Sequence, residues 1–194
     1  MTAVVVHPGI VGSPTPMPHP TPALLQTWTC EDDTAAFAQR LAALPGVRHA
    51  FIELHGDLGA GKTTFVRHLL RALGVSGRIK SPTYAVVEPH EVGQEAQRLR
   101  IWHFDFYRFN DPREWEDAGF RDLFASPGLK LAEWPEKAAS VLPPADLVLN
   151  LRVLADTEAA STTEDLDEAP PAPRELRLQA GTALGRELLE ALRA

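Results

Sequence analysis

The octapeptide from Gly56 to Thr63, G-D-L-G-A-G-K-T, constrains this chain more than any other stretch. It satisfies the phosphate-loop pattern G-x-x-x-x-G-K-T, in which each fixed position has a physical job. Glycines let the backbone curl until successive N–H groups point inward at phosphate oxygens. Lys62 supplies a mobile cation for the β and γ phosphates, and the Thr63 hydroxyl can ligate Mg2+. A helix that begins inside the motif adds its positive N-terminal end to the same anion. The flanks agree. His49 to Leu54 reads as a short apolar strand; Phe65, Val66, Leu69, Leu70 and Leu73 then recur at helical spacing, with Gly74 as C-terminal cap. Strand, glycine loop and helix in that order predict a nucleoside triphosphate site.

A chain of 194 residues with 44% apolar content is long enough to bury a full core as one compact domain with tails. No apolar run approaches the roughly 20 residues that cross a bilayer, and the N-terminus lacks the pattern of a signal peptide. Cys30 is the single cysteine, which rules out an intramolecular disulfide and fits a cytoplasmic protein. The net charge of −7 argues against gripping nucleic acid unaided, since phosphate neutralisation dominates such affinity. Arg67, His68, Arg71, Arg78 and Lys80 cluster after the phosphate loop and read as the solvated face of a helix and loop.

Residues 1–22 hold six prolines and little periodicity, which predicts a disordered or polyproline-like tail. Residues 23–194 are expected to form the single domain. Its elements begin with a strand from Leu24 to Thr29 and a helix capped by Asp32 or Asp33 that carries Ala36, Phe37, Leu41 and Leu44. Lys80 to Val87 reads as a loop entering a strand, and Ile101 to Tyr107 as an aromatic-rich strand. Asp111-Pro112-Arg113-Glu114 reads as a helix start. Leu129 to Trp134, Asp146 to Val153 and Arg174 to Ala180 read as further strands, and Thr182 to Arg193 as a terminal amphipathic helix. Residues 155–173 contain six acidic and no basic residues before Arg174, a flexible solvated loop. The alternation argues an α/β domain with helices on both faces of the sheet.

Hydrolysis at such a site needs a firmly held metal and an aimed water, commonly through carboxylates at the ends of neighbouring strands. Asp105, set among aromatics, and Glu133, placed where an apolar strand ends, qualify, since an unpaired buried charge is costly. The plainer alternative for each is a pairing with a nearby arginine or a turn cap. Ser81-Pro82-Thr83 is a candidate nucleotide-sensing loop or a simple turn before a strand. His103 reads as a packed strand residue rather than a base. Trp134 reads as a residue beside the site or an ordinary core residue. A small-molecule kinase would need an acceptor pocket and usually an arginine-bearing lid, and no arginine-rich lid is apparent. A GTP switch would carry N-K-x-D, which is absent.

Four segments in order, G-D-L-G-A-G-K-T-T-F (56–65), K-S-P-T-Y (80–84), H-F-D-F-Y-R (103–108) and E-W-P-E (133–136), resemble the TsaE family of bacterial ATPases of tRNA threonylcarbamoyladenosine formation. The resemblance spans about residues 30–153. It implies a P-loop NTPase-like three-layer α/β/α sandwich with a mainly parallel central sheet and late antiparallel strands. It further implies ATP and Mg2+ as cofactors. Gly56, Asp57, Leu58, Gly59, Ala60, Gly61, Lys62, Thr63 and Thr64 would bind the nucleotide phosphates. Thr63, Asp105 and Glu133 would hold the metal, and Lys62, Asp105 and Glu133 would serve hydrolysis. Trp134 would lie by the nucleotide, and Arg174 and Thr34 are candidates for its adenine end. The implied partner is a TsaD-TsaB complex that ATP hydrolysis resets for turnover, with tRNA contacted indirectly through it and no membrane involved. The proline-rich head and the 155–173 insertion depart from the family's usual compact form.

Overall fold

The computed structural model describes residues 23–109, 115, 118–154 and 172–194. The proline-rich tail, the helix start expected at Asp111 and residues 155–171 of the acidic loop lie outside the described residues. In chain order the elements are β1 (Ala23–Trp28), α1 (Glu31–Ala42), β2 (Phe51–His55), α2 (Lys62–Ala72), β3 (Val87–Val92) and β4 (Leu99–Asp105). Then follow α3 (Phe120–Ala125), β5 (Leu129–Glu133), β6 (Leu147–Val153), β7 (Arg174–Ala180) and α4 (Ala183–Arg193).

The strands form one sheet in the order β1-β7-β6-β2-β5-β4-β3. Its centre is parallel: β2 pairs with both β5 and β6, and β4 with β5. Antiparallel strands flank it, β7 on β6 with β1 beyond, and β3 on β4. The late strand β7 thus runs antiparallel to β6, as expected, and both edge strands pair antiparallel with their neighbours, β3 against the central direction and β1 along it. Because side chains alternate along a strand, the central strands feed two cores. Ile52, Leu54, Ile101, Leu129, Leu131, Leu147 and Leu149 pack with buried residues of α1, α2 and α4. Phe51, Trp102, Phe104 and Ala132 face the other way and join Phe106, Phe109, Trp115 and Phe120 in an aromatic cluster.

Local chemistry sets the element ends. The cap of α1 is Cys30, not Asp32 or Asp33. Asp33 sits in the first turn and its carboxylate reaches back to the N–H groups of Thr29 (2.7 Å) and Cys30 (3.2 Å) and the Thr29 hydroxyl (2.9 Å). These donors hold its pKa below the usual aspartate value. Helix α2 ends as the glycine predicts. Gly74 has φ +100°, its N–H bonds Arg71 O, and the Val75 N–H bonds Leu70 O, the paired bonds of a Schellman motif. Strand β4 stops at Asp105, two residues earlier than the aromatic run suggested. The Asp105 carboxylate accepts the Tyr107 N–H at 2.9 Å and curls the chain out of the sheet. Strand β2 starts at Phe51, after a 3-10 turn over Pro45–His49.

Candidate functional site

In a sheet whose central strands run parallel, the carboxyl ends of β2, β4 and β5 share one rim, and that rim carries the motifs. The phosphate loop leaves β2, with Gly56 at φ +135°, Gly59 at +80° and Gly61 at +104°. A Cβ on Gly56 would overlap the Leu151 carbonyl, so glycine there is a matter of space as well as conformation. The loop enters α2 at Lys62, with Gly61 in the cap position.

Across the rim, Asp105 at the end of β4 and Glu133 at the end of β5 are direct register partners. Both are almost fully buried, at 3% and 2% exposure. One Glu133 carboxylate takes the Thr63 hydroxyl, which lies 3.0 and 2.8 Å from its two oxygens. It also takes His103 Nε2, 2.9 Å from Oε1. Asp105 Oδ2 accepts the Ser81 hydroxyl and, at 2.7 Å, the Thr83 hydroxyl, while Oδ1 holds the Tyr107 N–H. The two hydroxyls of Ser81-Pro82-Thr83 therefore orient the acid. The salt bridges among the described residues give neither carboxylate a lysine or arginine partner.

Lys62 Nζ folds back to the loop carbonyls of Gly56 (2.5 Å) and Asp57 (2.9 Å) and lies 3.7 Å from the centre of the Trp134 ring. Burial lowers its pKa below the usual lysine value, against the opposing pull of Glu133, Glu136, Asp105 and Asp57. Trp134 itself holds a left-handed backbone, φ +57°, and its ring meets Tyr107 at 5.1 Å.

These groups enclose a cavity of about 290 Å3 whose wall includes Leu58, Gly59, Gly61, Lys62, Thr63, Thr64, Asp105, Glu133, Trp134 and Arg174. Gly56, Asp57 and Ala60 stand behind that wall, the first two through carbonyls that hold Lys62 and Ala60 as a buried residue. Thr34 is buried in α1 and does not line the cavity. Arg174, at the start of β7, has its Nε buried without a partner among the described residues and lies close over Gly61. His103, Tyr107 and the hydroxyls of Ser81 and Thr83 contact the acids without any motif spacing that announces it. Each contact joins positions 2 to 30 apart, and only the strand register brings the longest together.

The cavity can hold a polyphosphate: a glycine loop and one ammonium face two buried acids and a hydroxyl. The family model described as "Threonylcarbamoyl adenosine biosynthesis protein TsaE" matches residues 28–162. A Haemophilus influenzae protein named tRNA threonylcarbamoyladenosine biosynthesis protein TsaE is 37% identical over 155 residues, 80% of this chain and 85% of that protein. The Bacillus subtilis protein of that name is 34% identical over 133 residues, 68% of this chain and 78% of its own length. The crystal structure of YdiB from Bacillus subtilis superposes with a TM-score of 0.65 over 90% of this chain and 97% of that one; at 24% identity this speaks to the fold.

Proposed function

The chain belongs to the TsaE family of threonylcarbamoyladenosine biosynthesis proteins, and from that membership we propose that it is a Mg2+-dependent, P-loop NTPase-like ATPase of tRNA modification. It works in the cytoplasm with a TsaD-TsaB complex, which holds the tRNA, and its hydrolysis of ATP supports turnover of that complex. The observation that carries this reading is the meeting of Lys62, Thr63, Asp105 and Glu133 around one cavity at the carboxyl ends of the parallel central strands.

The residues fit a magnesium ion. Thr63, Asp105 and Glu133 offer hard oxygen donors, and two carboxylates this deeply buried, with no lysine or arginine at salt-bridge distance among the described residues, call for a cation. Bound there, Mg2+ would neutralise charge on the phosphate oxygens. The chain's own groups do the rest. Loop N–H groups cradle the phosphates, and Lys62 turns from the Gly56 and Asp57 carbonyls to the incoming anion. Trp134 covers the ammonium and keeps water from it. Ser81 and Thr83 fix the direction of the Asp105 carboxylate. Arg174 brings a second cation to the wall.

The test is ATP turnover with and without TsaD-TsaB. Turnover should rise with the partner and fall by about 100-fold or more in Lys62→Ala and Asp105→Ala, the range seen when preorganised charge is removed from a site. Unchanged turnover in both variants would eliminate this site.

A further inference from the structure

The imidazole of His103 lies in the middle of β4, fully buried, beside Ile101 on its own strand face and opposite Leu131 of β5. A ring with two polar nitrogens suits such a wall poorly unless both are hydrogen-bonded. Only one is. Nε2 meets Glu133 Oε1 at 2.9 Å, while Nδ1 has no partner among the described residues. As the acceptor is a carboxylate oxygen, Nε2 carries the proton. An aliphatic side chain would serve the core better, so what this ring contributes is one directed N–H on one acid.

We propose that His103 is a positioning residue: its Nε2–H fixes Glu133 in the orientation that receives the metal beside Thr63. This rests on the reading of Glu133 as a magnesium ligand. The physical advantage is that the flexible glutamate is ordered before the cation arrives, and partners of this kind around metal-binding carboxylates govern affinity.

The test compares His103→Asn, His103→Gln and His103→Leu, with Mn2+ titrated against protein saturated with a non-hydrolysable ATP analogue and free Mn2+ followed by electron paramagnetic resonance. Glutamine can set an amide N–H near the place of Nε2; asparagine is too short, and leucine keeps the packing without a donor. Metal affinity should fall about 10- to 100-fold in the Asn and Leu variants and recover in Gln. Affinity for the analogue without metal should stay within about twofold, a split that a general loss of packing would not produce. Should leucine fail to fold, the Asn and Gln pair still decides. Equal metal affinity in wild type and Asn, or equal losses in Asn and Gln, would overturn the role of His103. A wild-type protein that binds the analogue with no metal dependence would instead refute the magnesium reading on which it rests.

Discussion

Gly56 and Gly59 both sit at positive φ in the phosphate loop, yet they answer different demands. Gly59 has open space where a Cβ would stand, whereas Gly56 backs onto the Leu151 carbonyl. Gly59→Ala should therefore cost only the left-handed strain of about 1–2 kcal/mol. Gly56→Ala adds a clash with backbone that cannot give way and should cost about 3 kcal/mol or more. Denaturant unfolding of the two variants would separate the effects; equal losses would show that the Leu151 contact is relieved in solution. The same residue-level view explains which parts of the site sequence could reveal. Lys62 and Thr63 are legible because one contiguous motif fixes both residue types, although Thr63 bonds to Glu133 and Lys62 lies over Trp134, both far along the chain. Asp105 and Glu133 are legible as acids ending apolar strands. His103 was not, because its partner is 30 positions away and joined to it only through the pairing of β4 with β5.

At the scale of elements, α4 depends on a small polar knot. The Thr182 hydroxyl accepts the Gly185 N–H at 3.1 Å and donates to Asp146, whose other oxygen takes the Phe51 N–H at 2.7 Å. One carboxylate thus links the start of β2, the approach to β6 and the cap of the last helix. Thr182→Ala should cost about 1 kcal/mol, the usual worth of a cap, read as a lowered denaturation midpoint. Asp146→Ala should cost more, since it also leaves the buried end of β2 without an acceptor. Both β6 and α4 were readable from periodicity to within a residue of their observed ends. Helix α3 was not, for six residues with only Phe120 buried leave no helical period to detect.

For the whole molecule, the two faces of the sheet carry different kinds of core, and the aromatic face holds an odd member. Lys130 is buried there, its ammonium bonded to the Ser126 carbonyl and 5.0 Å from the Trp102 ring. Burial lowers its pKa below the lysine norm, with Asp146 pulling the other way. Between that lowered value and the unfolded value near 10.4, the unfolded chain binds more protons, so stability rises with pH across this window. Lys130→Met lacks the rise, and wild type should gain on the variant as pH climbs toward about 10 in parallel unfolding titrations. Parallel curves would mean the amine is solvated in the native state. The strand order also has a consequence for assembly. Among the described residues strand β1 finds its only neighbour in β7, some 150 positions later, while β2, β5 and β6 can pair without either. On a ribosome, then, the half that carries the Gly56–Thr63 loop can close while Ala23–Trp28, made earlier, still waits for its place at the edge.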